Sequence, residues 1–197
     1  MSGAALLSIL FTSPGAARGT VDPATLNPAP PDFFGASCFR EGGHISCTLA
    51  FTDPEIIDEP SGIVCTGTEL TYSQSRSVVG KRLYDGGGNL LQRHFRERFD
   101  GTLTNPDSGR SAVWTQHDTV LHNLSTPGDL GTGTIQYSGL GFKVSVPGRG
   151  TVLTDAGTTL VDAATDEVVR VSGHHPLDDY FRLGDASALD SICDAVN

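Results

Sequence analysis

The 197-residue chain is long enough for one domain of ordinary size, and 38% apolar with 18% charged residues excludes both wholesale disorder and a membrane protein. The net charge of −10, with no basic stripe beyond Arg93, Arg96 and Arg98, argues against nucleic acid and against anionic membrane surfaces as partners. The 24 glycines and 11 prolines favour short strands joined by tight turns.

The N-terminal segment has the pattern of a secretory leader. Residues 4–11 form the apolar run AALLSILF, and the small residues of 13–17 follow it. This resembles the apolar and cleavage regions of a signal peptide, although a positively charged start is missing. Residues 1–18 are therefore predicted to be a signal-peptide remnant, with a disordered tail as the alternative. The run is too short to span a bilayer, so no transmembrane segment is expected.

The next section is rich in proline and contains two of the four cysteines. Residues 19–34 hold four prolines, which predicts an extended linker. Residues 35–61 form a small cysteine-bearing section that ends in turn-rich sequence. Residues 19–61 are thus assigned to linker and cysteine section, and 62–197 to the main β-barrel domain.

The cysteines predict two disulfides. Cys38 and Cys47 flank a short strand–turn–strand pattern centred on Glu41-Gly42-Gly43, so a local bridge is easy to form. Cys65 would then pair with Cys193. Four cysteines permit three pairings, and free thiols or a zinc site remain alternatives. Zinc is the weakest of these because the chain has no close C-x-x-C pair.

The main domain reads as a series of short strands with turn signals between them. This spacing predicts an antiparallel meander of about eight strands, either a barrel or a sandwich. The strand-like runs are 69–72, 77–84, 90–103, 111–121, 132–137, 140–146, 151–155, 158–161 and 168–172.

Alternation assigns faces to two of these strands. Phe95, Phe99 and Leu103 are predicted to share a buried face, with His94, Arg96, Arg98 and Asp100 on the solvent face. The alternating apolar residues Leu140, Phe142, Val144 and Val146 are likewise predicted to lie on one face.

The end of the chain changes period. Leu189, Ile192, Cys193 and Val196 fall on one face of a short helix, which Asp185 or Ser187 would cap. A bridge from Cys193 would therefore fix this helix to the sheet.

Several of these segments also resemble a family of uncharacterised, secreted, β-rich proteins of actinobacteria. The likeness covers roughly 62–197 and rests on 101–111, 150–157, the run 174–177 and the terminal cysteine helix. The resemblance implies an exported protein with a cysteine near each end of the domain, matching Cys65 and Cys193. It carries over no catalytic residues, and Cys38 and Cys47 lie outside it.

Candidate chemistry is sparse. His94, Arg96 and Arg98 share a strand face, and the following strand carries His117, Asp118 and His122. Together these residues suggest an anion site or a general acid–base site. The simpler interpretation, a solvated face with cross-strand ion pairs, is the one expected here.

Two further candidates concern a cavity and a metal. Trp114, the only tryptophan, and Tyr137 would line a cavity if the barrel encloses one, although core packing is the simpler expectation. His174 and His175 precede Pro176 near two aspartates, but adjacent residues of an extended chain point apart, so no metal site is expected. The glycosylation sequon at Asn123 is taken as chance, and no cofactor is expected.

These patterns predict a secreted β-barrel protein without catalytic activity that binds a small apolar or amphipathic ligand. A barrel-type cyclase or isomerase is the first alternative, since such enzymes need few polar groups. An interaction or structural module of the cell envelope is the second. The sequence does not indicate an oligomeric state.

Overall fold

A computed structural model describes residues 18–197, except for the side chains of Asp178 and Ala188. Ten strands form one sheet in the order β1-β2-β3-β5-β6-β7-β8-β9-β10, and β4 pairs with β5 outside this path. Every strand pair is antiparallel. The strands are β1 Gly19–Val21, β2 Ser37–Glu41, β3 His44–Thr52, β4 Ile56–Cys65, β5 Thr68–Tyr84, β6 Leu90–Thr104, β7 Ser111–Asn123, β8 Thr134–Val146, β9 Gly150–Asp162 and β10 Val168–His174.

The helical elements are short and lie toward the two ends of the described chain. Short 3-10 helices occur at Pro23–Thr25, Asp32–Phe34 and Ala186–Leu189. The α-helices are α1 Pro176–Leu183 and α2 Asp190–Val196. No helix in 18–197 is long and apolar enough to cross a membrane.

The predicted fold class, mostly β with an antiparallel sheet and a short C-terminal helix, is confirmed. Two details differ from the expectation. The sheet has ten strands rather than about eight, and it is open rather than closed into a barrel. The extra count comes from residues 19–61, which contribute β1, β2, β3 and most of β4 to the same sheet, whereas 62–197 contains six whole strands, β5 to β10.

Strand β5 explains why the sheet branches. Its 17 residues are long enough to hold two neighbours on the same side, one after the other. Strand β4 pairs with its first half, up to Gln74, and β3 pairs with residues 77–84. Strand β4 is therefore the edge strand beside the first half of β5. Beside the second half, the sheet continues through β3 and β2 to the edge strand β1.

One face of the sheet is covered at both ends, and we call it the covered face. At one end, α2 packs on a core built around Trp114, Phe142 and Leu70. At the other end, the N-terminal segment packs Leu26 against Tyr84 and Leu90. The opposite face, called here the outer face, carries mostly hydroxyl and charged side chains.

Both predicted disulfides are present. Cys38 and Cys47 are directly opposite each other in the β2–β3 pair. Cys65, at the end of β4, is bonded to Cys193 in α2. The predicted apolar helix face is also confirmed, because Leu189, Ile192 and Val196 are buried.

The predicted buried face of β6 is confirmed, since Phe95, Phe99 and Leu103 all lie on the covered face. The prediction for β8 is wrong at Leu140. A β-bulge between Leu140 and Phe142 inserts Gly141 and reverses the alternation, so Leu140 lies on the outer face while Phe142 is buried.

Candidate functional site

The covered face carries a row of glycines between the two cores. Successive register partners across five strands are Glu97, Asp118, Gly139, Gly157 and Gly173. Because three members of this row have no side chain, a depression of about 300 Å³ crosses the sheet there. We call it the glycine trough, and its floor is formed by Gly139, Gly141 and Gly157.

Glycine is required at the centre of this floor for steric reasons. A Cβ on Gly157 would lie 2.6 Å from His175 Nε2 and 2.1 Å from the carbonyl oxygen of Ser172. Gly139 has φ of +132°, a backbone conformation that side-chain-bearing residues rarely adopt. The empty floor is therefore fixed by backbone geometry and not by loose packing.

The two walls of the glycine trough differ in character. Tyr137 and Thr159 form one wall, on the side of the N-terminal core. Phe142, Leu177 and Phe181 form the other wall, on the side of α2. A molecule in the trough would therefore meet apolar surface on one side and hydroxyl groups on the other.

A second cavity of about 350 Å³ continues on the far side of α1. It shares Phe142, Leu177 and Phe181 with the glycine trough and adds Trp114 and Tyr72. Phe181 is 58% exposed, although aromatic side chains are usually buried. Helix α1 thus divides one continuous apolar surface into two connected spaces.

Helix α1 is held over this surface by contacts at both ends. Asp155 of β9 accepts a hydrogen bond from the Leu177 backbone N–H at 3.0 Å, and its other oxygen lies 3.0 Å from His175 Nδ1. At the far end, the Tyr180 hydroxyl donates to the Gly62 carbonyl of β4 at 3.1 Å. The helix therefore spans the gap between β9 and β4, where the sheet is not closed.

Asp118 is the polar group that stands out in the glycine trough. Its Oδ2 accepts a hydrogen bond from Gln116 at 3.0 Å. Its Oδ1 is buried and has no hydrogen-bond partner among the described residues. Burial raises the pKa of the Asp118 carboxyl above its ordinary value, and the hydrogen bond from Gln116 opposes this only in part.

The arginine that acts electrostatically on this carboxylate is already paired with other groups. Arg76 binds both oxygens of Glu97, at 3.1 and 3.2 Å, and lies 3.5 Å from Asp53. Its guanidinium also stacks on Phe99, 5.2 Å from the ring centroid. Arg76 is thereby occupied by two other carboxylates, which leaves Asp118 Oδ1 as a buried acceptor without a partner among the described residues.

Tyr137 lies two residues from Gly139 on β8 and is 41% exposed. Burial of part of the ring raises the pKa of its hydroxyl, and Arg93 opposes the shift. The phenol therefore keeps its proton at neutral pH and is able to donate a hydrogen bond. A donor and an acceptor consequently border the same depression.

The raised pKa of Asp118 predicts a pH-dependent cost to stability. The folded protein binds the Asp118 proton more tightly than the unfolded chain, so this group lowers the free energy of unfolding as pH rises from about 4 through the raised pKa. Asp118→Asn should therefore be more stable than the parent at pH 7 and nearly equal to it at pH 3. Urea unfolding at both pH values measures this, and a difference that does not grow with pH would contradict it.

The predicted ligand residues are distributed over both faces. Tyr137 lines the glycine trough, and Trp114 lines the second cavity while also belonging to the core. His94 and Arg96 lie on the outer face and line a separate groove there. His117 is also on the outer face, as the register partner of Arg98.

Two further histidines, His122 and His175, have structural environments. His122 is fully buried, accepts a hydrogen bond from Arg93 Nε at 3.0 Å, and lies 2.9 Å from the Thr132 carbonyl. Burial lowers its pKa, so the ring is neutral. His175 lies between Asp155 and the Ser172 carbonyl. Among the described side chains, no group of three or more His, Cys, Asp or Glu residues is suited to a metal ion.

Sequence reasoning did not identify the glycine trough or the apolar wall formed by Phe142, Leu177 and Phe181. It treated Asp118 as one member of a strand with His117 and His122, without assigning it to a face. Period-two alternation was the available signal, because it separates Asp118 from His117. The glycine at 139 carried a second signal, since an isolated glycine in a strand pattern marks a bulge or a close approach.

Comparisons with known proteins give no relative. No family model, no curated protein and no solved structure matches the chain. The functional argument therefore depends on the geometry of the site.

Proposed function

We propose that this protein binds a small amphipathic ligand in the glycine trough, with a hydrogen-bond donor of the ligand on Asp118 Oδ1. The observation that carries the proposal is a buried, unpartnered carboxylate oxygen beside apolar cavities. Such a group costs stability, and a costly polar group in a cleft is a mark of a functional site.

The size of the site fits a small molecule. Ligand sites are usually clefts of about 300–1,000 Å³ lined by apolar side chains and a few polar groups. The glycine trough and the second cavity have about 300 and 350 Å³ and share the apolar surface under α1. The apolar part of the ligand would lie against Phe142, Leu177 and Phe181.

The charge of the site favours an ammonium head or another hydrogen-bond donor over an anion. Asp118 and Asp155 are carboxylates that line the trough, and no lysine or arginine of the described chain lines it. Since an ionised carboxylate only accepts hydrogen bonds, the ligand must supply the N–H or O–H. A carboxylate head in the same place would be repelled.

Three alkyl probes that differ only in the head group test this. Trp114 fluorescence reports binding because this single tryptophan lines the second cavity. Octylamine is expected to bind more tightly than octanol, and octanol more tightly than octanoate. Asp118→Asn should remove the preference for octylamine over octanol, a loss of about ten-fold for one charge-assisted hydrogen bond.

A matched control separates this effect from general electrostatics. Glu55→Gln removes one negative charge from an exposed residue that forms no ion pair with described residues. It should leave the order of the three probes unchanged. If octanoate binds best to the parent, or if Asp118→Asn keeps the preference for octylamine, the proposal is wrong.

A second candidate function is a proton-transfer enzyme of the cyclase or isomerase kind. The specific observation is that Asp118, with its raised pKa, faces Tyr137 across the same cavity. A carboxylate with a raised pKa is suited to act as a general base near neutral pH. Native mass spectrometry of protein from its source identifies the bound molecule, and conversion of that molecule by the parent but not by Asp118→Asn would favour the enzyme.

The compartment is also part of the proposal. Two disulfides and no free cysteine among the described residues support folding in an oxidising environment, as for exported proteins. The leader-like pattern of 1–17 lies outside the described residues. Recovery of the mature, disulfide-bonded protein from culture medium would establish export.

A further inference from the structure

The outer face of the sheet carries a compact group of cations. Lys81 and His94 are direct register partners on β5 and β6, and Arg96 follows His94 on the same face of β6. Thr48 of β3 is the register partner of Lys81 on its other side. We call Lys81, His94, Arg96 and Thr48 the cationic patch.

The cationic patch surrounds a groove instead of projecting from a flat surface. A depression of about 420 Å³ is lined by all four of its residues together with Val79 and the backbone at Leu49 and Gly80. Val79 is 54% exposed beside it. The positive groups therefore converge on one space.

None of the three basic side chains is paired within the described part of the chain. The salt bridges of 18–197 involve other residues, and no hydrogen bond uses the side chain of Lys81, His94 or Arg96. The neighbouring Arg98 differs, since it is bound to Asp100 at 2.6 Å. Arg98 is therefore paired within its own strand, and the expected cross-strand ion pairs are absent from the described side chains of the cationic patch.

The two permanent cations of this arrangement are not offset by a carboxylate. Lys81 and Arg96 are diagonal neighbours across the β5–β6 pair, and neither has an acidic partner among the described side chains. The chain has 23 acidic residues against 13 basic ones, so the composition offers ample partners that the patch does not use.

We propose that the cationic patch is an oxyanion-binding site, and that its ligand carries a phosphate or sulfate group. The planar guanidinium of Arg96 binds two oxygens of such a group, as this geometry commonly does. Lys81 supplies a third charged donor, and the His94 ring N–H and the Thr48 hydroxyl supply further donors. This site is on the opposite face from the glycine trough and is independent of the function proposed for it.

Titration of the whole protein with inorganic phosphate and sulfate, followed by amide NMR, tests the site. Both anions should shift the resonances of 79–81 and 94–96 saturably, while chloride at equal ionic strength should not. Arg96→Gln should weaken binding by about ten-fold or more, as expected for loss of a bidentate charged contact. Lys143→Gln, which removes a cation from another row of the outer face, should change it by less than about two-fold.

A polyanion distinguishes the two sources of such a group. If dextran sulfate binds much more tightly than sulfate and loses this advantage in Arg96→Gln, the ligand is a sulfated or phosphorylated polymer. If the affinity per sulfate is unchanged, the ligand is a small oxyanion. The absence of saturable shifts, or an equal loss in Arg96→Gln and Lys143→Gln, would overturn the proposal.

Discussion

Replacing both Cys65 and Cys193 by alanine is expected to lower the free energy of unfolding by about 5 kcal/mol. The bridge closes a loop of 128 residues, and the loss of unfolded-state entropy from cross-linking a chain grows with the logarithm of loop length. The bond also fixes α2 to β4, so its removal frees the terminal helix from the edge of the sheet. Urea unfolding without reductant measures the loss.

The second disulfide provides a matched control for loop length. Cys38 and Cys47 are only nine residues apart, and the same entropy relation gives roughly 2.5–3 kcal/mol for the Cys38→Ala/Cys47→Ala variant. Cys47 and Cys65 are both fully buried, so the two double variants lose similar packing. Equal losses in the two variants would show that loop closure does not determine the stabilisation.

The strands of the sheet could be predicted because their signal is local. Alternation in β6 placed Phe95 and Phe99 on the buried face correctly. Runs 69–72 and 77–84 were wrongly separated at the polar stretch 73–76 of β5. Two other errors arose where glycine falls inside a strand. Gly139 and Gly157 separate runs that the structure joins into β8 and β9, because a glycine in a strand and a glycine in a turn look alike in sequence.

The open sheet could not be predicted from the same patterns. The first half of β9, residues 150–155, pairs with β8 but not with β10. The C-terminal helices lie between this half of β9 and β4. Ser191 donates to the Val152 carbonyl at 2.9 Å, and Cys193 is bonded to Cys65. Helix α2 thus occupies the gap that closure of a barrel would have removed. Alternation within a strand carries no information about which partner covers its edge.

Helix α1 shows why part of the candidate site could not be predicted from the sequence. Its eight residues begin at Pro176 and end before Gly184, which are ordinary helix signals at either end. The segment is too short for a strong periodic pattern, so it was not predicted. The apolar wall of the glycine trough was missed with it, because Leu177 and Phe181 come from this helix.

The glycine trough depends on register between strands far apart in sequence. Asp118 meets Gly139 because the turn between β7 and β8 fixes that register, and Gly139 meets Gly157 because the β8–β9 turn and the bulge at Gly141 fix theirs. A shift of one residue in either pair would replace glycine by a side chain on the covered face. The sequence shows that glycine is abundant, but it does not show that Gly139, Gly157 and Gly173 are register partners on adjacent strands.

Trp114→Ala is expected to destabilise the fold by about 3–5 kcal/mol, as for other buried aromatic residues. The ring is only 5% exposed, lies 5.0 Å from the Phe142 centroid and 6.2 Å from that of Phe99, and covers Gly101. Its removal leaves a cavity that opens toward the space under α1. Thermal or urea unfolding measures the loss.

Trp114→Phe separates packing from hydrogen bonding at this position. The indole Nε1–H is buried without a hydrogen-bond partner in the described chain, so phenylalanine keeps most ring contacts and removes an unsatisfied donor. Its cost should stay below about 1.5 kcal/mol. Val113→Ala, at the neighbouring exposed position, should stay within about 0.5 kcal/mol. Similar losses in Trp114→Phe and Trp114→Ala would mean that the indole nitrogen, and not the ring, holds the apolar wall of the second cavity in place.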